Sequence, residues 1–284
     1  MNGTIGVIAS DIELKNSIEE LFLEDIISEN LIIDMLDPDN MEKQGKILES
    51  KGAKVVVARS GGYRHISGTV SIPIVHLKIT TIDILQAIKK ARKYEKEIVL
   101  VIWDGVYFNY DEWKDIINAE IIVEKFKEKS EIKGNVKKYI ENKDDVIIVG
   151  SGIACSFARE YGIDNVFINA SKESIYETIK YAKELVANLE DEKFKTEVLK
   201  TVLDGVHDAV IAINNEQRVI LYNERARELL GKAPEYVMDK KILDVLPSLD
   251  FMVDILENRE DKHGEIKYLE DLIITTNTSI LNVD

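Results

Sequence analysis

The chain has little of what staples, punctuates or anchors a fold. Its 284 residues contain one cysteine, Cys155, which excludes an intramolecular disulfide framework and suits a reducing compartment. Four prolines and the lack of Ser- or Gln-rich tracts leave little for a disordered linker, so structured segments are expected to join the domains. No apolar run approaches the roughly 18 residues that cross a bilayer. The opening "MNGTIGVIAS" has no basic region before its apolar stretch, so it does not read as a secretory signal, and a cytoplasmic protein is expected. Cations are scarce beside anions, 37 Lys and Arg against 52 Asp and Glu. The formal charge of -15 repels phosphate backbones and argues against direct nucleic-acid contact.

What is present is an ordinary globular composition, 45% hydrophobic and 31% charged, in a chain long enough for two or three domains. Short Val/Ile-rich runs recur: "TIGVIA" at 4, "NLIIDML" at 30, "AKVVVA" at 53, "IPIVHL" at 72, "EIVLVIW" at 97, "AEIIVEKF" at 119, "DDVIIVG" at 144 and "NVFIN" at 165. Segments of helical periodicity, such as "DIELKNSIEELFLEDI" and "TIDILQAIKKARKYEK", lie between most of them. Alternating strand and helix predicts parallel sheets covered on both faces, divided into two lobes of about four strands, with "TIDILQAIKKARKY" crossing between them. Lobe 1 is expected over about 1–80, lobe 2 over about 81–170, and a connecting helix over 171–193.

From Ser171 to about Leu203 the apolar spacing predicts a long helix. Two readings stand: a dimerising or signalling helix, or a helix packed on the second sheet and followed by a connector. "NLEDEKFK" marks where it is expected to break. Beyond it, "VLDGVHDAVIAINNEQRVILYNERARELLG" reads as two strands about an Asn-Asn turn, then short helices. "IKYLEDLIITTNTSIL" reads as two more strands.

In each lobe a strand empties into a loop of small residues, "VVVARSGGY" at 55 and "VIIVGSGIA" at 146. In open parallel sheets ligands bind beyond the carboxyl ends of strands, where glycine admits close approach to backbone N–H groups and helix starts favour anions. Arg59 adds a cation suited to a carboxylate or phosphate. Each loop by itself reads first as a tight turn, with Arg59 paired to an acidic neighbour. Nucleotide binding is not expected: no G-x-x-x-x-G-K-[ST] occurs, Cys155 stands where "GSGIAC" would need a third glycine, and Asn169 and Ala170 follow the next strand without an acid. His65, His76, His207 and His263 show no metal-ligand spacing, Cys155 reads as a small buried residue, and Trp103 or Tyr107 would line a cleft or simply pack.

"VVVARSGG…VSIPIVHLKITTIDILQAI" resembles the N-terminal receptor domain of propionate-catabolism activators, and "VIIVGSGIACSFAREYGIDNVFINASKESIYETI" resembles that family's second signature. The resemblance covers about residues 1–190. It implies an α/β fold of two chelatase-like three-layer lobes with a ligand cleft between them, around which Arg59, Ser60, Gly61, Gly62 and Asp83 would sit. Ser10, Thr80, Thr81, Ser151 and Gly152 join them as expected ligand-binding residues, with no catalytic or metal residue. Ser60 stands where the family motif has its first glycine, Gly62 where it has threonine, and Thr80 and Thr81 where it has Ser-Gly. Residues 194–284 are similar to an α+β PAS domain, with Gly205 and Asp208 before its first strand and Asn223 and Ala226 after its second. A strand is expected beyond "NTSILNVD", so this domain reads as incomplete.

These resemblances imply the sensory region of a sigma-54-dependent regulator. It would bind a small organic acid and would be a homodimer without membrane contact, its effector ATPase and DNA-binding domains lying outside this chain. The residues name no cofactor. An enzyme using the same cleft and a dimerising scaffold are the other readings.

Overall fold

The computed structural model describes residues 4–37, 39–259, 261–269 and 272–280 and divides into two compact units, 1–190 and 191–284. The first unit holds two parallel sheets of identical strand order. Strands β1 (Thr4–Ala9), β2 (Leu31–Met35), β3 (Ala53–Arg59) and β4 (Ile74–Leu77) run in the order β2-β1-β3-β4. In the second sheet β5 (Glu97–Trp103), β6 (Ile121–Phe126), β7 (Val146–Gly150) and β8 (Asp164–Phe167) run β6-β5-β7-β8. All eight strands match the Val/Ile runs expected from sequence.

Successive strand residues face opposite sides, and here both sides are buried, which is why the runs are continuous and not alternating. Val55 and Val57 enter one core and Val56 and Ala58 the other; Ile98 and Leu100 part from Val99 and Val101 in the same way. Helices α1 (Ile12–Leu21), α2 (Leu23–Ile27), α3 (Met41–Ser50) and α4 (Ser60–Ile66) belong to lobe 1. Then come α5 (Thr81–Ala91), α6 (Tyr110–Ile117), α7 (Lys129–Lys137), α8 (Gly152–Glu160) and α9 (Lys172–Gly205).

The two crossover helices exchange lobes. After β4, α5 carries Ile84, Ala87, Ile88 and Ala91 into the core of the second sheet, as expected. After β8, α9 returns and buries Ile175, Ile179, Ala182 and Val186 against the first sheet, so the expectation that it packs on the second sheet is overturned. Nor does it break at "NLEDEKFK": α9 runs 34 residues without interruption. The charges there pair along the helix, Lys195 with Asp191 at 2.5 Å and Lys193 with Glu197 at 3.8 Å, supporting the turn they were expected to disrupt.

In the second unit β9 (Ile211–Ile213) and β10 (Val219–Tyr222) pair antiparallel about the Asn214 turn, where the Asn214 side chain accepts from the amides of Glu216 and Arg218. Helices α10 (Glu224–Leu230), α11 (Ile242–Val245) and α12 (Phe251–Asn258) follow, then an antiparallel pair of β11 (Lys262–Leu269) and β12 (Leu272–Thr278). Val219, Tyr222, Ala226, Val237, Ile242, Leu246, Leu249 and Val253 form its core. Asn223 is its polar centre: its oxygen accepts from the amides of Ala226 and Val210, and its amide donates to the carbonyls of Leu203 and Asp208. Asn282, Val283 and Asp284, near which a further strand is expected, lie outside the described residues. Among the described residues no helix is long and apolar enough to cross a membrane.

Candidate functional site

Equivalent strands of the two lobes end differently. β3 ends on Arg59, which pairs with Leu77, and β7 ends on Gly150, which pairs with Phe167. A Cβ built on Gly150 would stand 2.9 Å from both the Val101 carbonyl oxygen and the Ala154 Cβ, so the end of β7 has no room for a side chain on the face toward α8.

The Arg59 side chain is 3% exposed, and its Nε, Nη1 and Nη2 have no hydrogen-bond partner among the described residues. Five guanidinium N–H donors thus have no acceptor among the described residues. The nearest carboxylate, Asp83, approaches Nη2 at 3.9 Å, too far for a hydrogen bond. Burial pulls the guanidinium below its ordinary pKa, while Asp83 and then Asp11 pull the other way. The ring of Phe167 lies 5.8 Å from the Arg59 guanidinium carbon, and a Cβ on Gly152 would lie 3.8 Å from that ring. Phe167 therefore links the end of β3 to the start of α8, bringing the two small-residue loops to one place.

Asp83 is fully buried and already bonded. Its Oδ2 accepts from the Thr80 amide at 3.0 Å, and its Oδ1 accepts from the Ser171 amide at 2.8 Å and the Ser174 hydroxyl at 2.9 Å. Having given its only proton to the carboxylate, Ser174 accepts from the hydroxyls of Thr80 and Ser171, at 2.9 and 2.8 Å. The Thr80 hydroxyl in turn accepts from the Asp83 amide and the Ser171 hydroxyl from the Ser174 amide. Two helix caps, Thr80–Asp83 and Ser171–Ser174, thus meet back to back, and one carboxylate ties the starts of both crossover helices.

The other expected site residues are distributed as follows. Ser10, at the end of β1, donates to Asp11, which caps α1 through the Leu14 amide. Ser60 and Gly61 form the first turn of α4 and Gly62 is buried beside Leu36. Thr81 is the half-buried first residue of α5. Ser151 caps α8 by a long 3.4 Å bond from the Ala154 amide, and Gly152 is exposed. Trp103 is 39% exposed, with the Arg64 guanidinium of lobe 1 at 4.7 Å from its ring. Tyr107 lines an open groove of about 460 Å³ with Asp104, Phe108, Asn109 and Lys125. A second groove of about 470 Å³ is lined by Tyr63, His76, Lys78, Glu177 and Tyr181; neither includes Arg59. Cys155 is buried, its thiol pushed up to about 11 by desolvation, which suits a packing residue and not a nucleophile.

Residues 39–192 match the propionate catabolism activator family. The chain belongs to that family. Residues 197–280 match the PAS fold, so this family member joins the activator's N-terminal domain to a PAS domain, the sensory modules of a transcription regulator. Its fold resembles the crystal structure of an NtrC family transcriptional regulator from Clostridium acetobutylicum, with 21% identity and a TM-score of 0.55, covering 66% of this chain and 98% of that one. The transcription regulator CcpA of Lactococcus lactis aligns at 14% identity and a TM-score of 0.39, over 66% of this chain and 92% of that one. No curated protein matches. Within this family member, sequence reasoning missed Phe167, Ser171 and Ser174 as site residues. A capping signal, [ST]-x-x-[DE], was present in "TTID", and its relative "SKES" marks the second cap, but nothing local says that the two caps meet.

Proposed function

We propose that the chain is the ligand-sensing region of a sigma-54-dependent transcriptional regulator, and that its signal is a small carboxylate-bearing metabolite gripped by Arg59 between the lobes. The observation that carries this reading is the buried guanidinium without a hydrogen-bonded acceptor among the described residues. Leaving a buried donor unsatisfied costs about 1 to 3 kcal/mol in general and more for a charged group, and a planar anion accepting two parallel N–H bonds would recover it. Phe167 and the start of α8 would form the opposite wall. With the Arg59 side chain 3% exposed, the anion would enter as the lobes part about their two crossovers. The propionate-catabolism family name makes short-chain and tricarboxylic acids the first candidates.

Signalling would pass along α9 into the PAS domain. Effector ATPase and DNA-binding domains would belong to the regulator beyond this chain, whose -15 charge disfavours direct nucleic-acid contact. Phe194, Leu199 and Val202, each more than half exposed on α9, offer apolar surface to a second copy in a cytoplasmic homodimer. The test is calorimetry of the chain against acetate, propionate, succinate and citrate, with Trp103 fluorescence following the cleft. Binding by wild type and loss of binding in Arg59→Ala are expected. The reading fails if no acid binds, or if Arg59→Ala binds as tightly as wild type.

A further inference from the structure

Arg59 is not the only buried charge at the lobe junction, and the fully buried carboxylate beside it does not face a ligand. We propose that Asp83 is a positioning residue that couples Arg59 to α9: ligand and carboxylate draw on the same guanidinium, so an anion bound to Arg59 loosens the first turn of α9. The inference rests on the reading of Arg59 as the anion site.

Asp83 touches both crossover helices. Its Oδ2 holds the start of α5 through the Thr80 amide, and its Oδ1 holds the start of α9 through the Ser171 amide and the Ser174 hydroxyl. Every one of these hydrogen-bond donors is neutral. The carboxylate is 0% exposed, and a buried anion depends on a nearby cation for compensation. That cation is Arg59, 3.9 Å away and oriented without a hydrogen bond, which leaves its donors free for a better acceptor. An anion accepting two short bonds outcompetes this loose approach, and its own charge further disfavours a second carboxylate close by. Coupling of this kind is reciprocal: what an anion does to the start of α9, the grip on α9 does to anion affinity.

Two backbone amides report the grip directly, Ser171 N–H on Asp83 Oδ1 and Ser174 N–H on the Ser171 hydroxyl. Hydrogen exchange on the full chain, with citrate as the probe, tests the proposal. Arg59→Met without citrate is expected to speed exchange at both amides about tenfold, roughly the weight of one charge-assisted hydrogen bond, and citrate is expected to do the same to wild type only. Asp83→Asn removes the competing charge and is expected to tighten citrate about fivefold. Ser174→Ala strips one donor from Asp83 without touching Arg59, loosens the same first turn of α9 and, by reciprocity, is expected to tighten citrate about fivefold.

Unchanged exchange in Arg59→Met overturns the coupling whether or not citrate binds. Accelerated exchange in Arg59→Met, with no acid bound by wild type, overturns the anion reading and leaves the coupling standing. Should Arg59→Met fail to fold, the two affinity gains decide: citrate bound no more tightly by Asp83→Asn and Ser174→Ala than by wild type overturns the coupling, since a purely structural Ser174 lowers thermal stability and leaves affinity unmoved.

Discussion

Lobe 1 and lobe 2 repeat one plan, four parallel strands in the same order with a helix starting just past the third in each, and differ most where that strand ends. β3 closes on an arginine with almost no exposure, and β7 on a glycine that has no space for a Cβ. At the equivalent fourth strands Leu77 stands opposite Arg59 and Phe167 opposite Gly150. The helix starts differ as well: α8 is capped by the Ser151 side chain, whereas α4 has no side-chain cap. At the junction the repeated fold thus places a charge from lobe 1, Arg59, beside an apolar ring from lobe 2, Phe167.

The comparison can be broken most severely at the carboxylate that both lobes share. Asp83→Ala frees the starts of α5 and α9 and leaves Arg59 without its nearest carboxylate, which is expected to cost about 3 to 5 kcal/mol of stability, read by urea unfolding. A smaller loss comes from making lobe 2 resemble lobe 1. Gly150→Ala forces a methyl group against the Val101 carbonyl and is expected to cost about 1 to 3 kcal/mol in the same assay. If Gly150→Ala is neutral, the asymmetry at the strand ends is not steric. Ser151→Ala removes the cap from α8, an expected loss of about 0.5 to 1 kcal/mol given its 3.4 Å bond.

The smallest effect concerns pH. Lobe 2, over residues 81–170, contains no histidine, while lobe 1 holds His76 stacked 4.4 Å from Tyr63. Burial, and then Lys78, Arg64 and Arg59, hold the His76 imidazole below its usual 6.5. In that window the unfolded chain binds more protons than the folded one, so stability rises as pH increases toward 6.5 and falls on acidification. Thermal melts from pH 5 to 7.5 are expected to show this slope, and His76→Gln to flatten it.

Much of the fold was legible because it rests on local pattern. The eight Val/Ile runs became the eight strands, the Asn-Asn turn closed a hairpin, and the two loops fell at equivalent strand ends. Arg59 was legible as a candidate because a cation at the end of an apolar strand is conspicuous. The destination of α9 was not legible, since its buried Ile175, Ile179, Ala182 and Val186 suit either sheet equally. The charged "NLEDEKFK" misled because its side chains pair with opposite charges one turn away along the helix, Asp191 with Lys195 and Lys193 with Glu197.

By itself the sequence determined the elements, since periodicity and turn residues act over a few positions and need no distant partner. Only the tertiary structure decided which lobe each crossover helix covers, that Thr80 meets Ser174 across 94 positions, and that Phe167 closes over Arg59. Those contacts follow from two lobes exchanging helices, and the partners of such an exchange lie too far apart in the chain for any local pattern to join them.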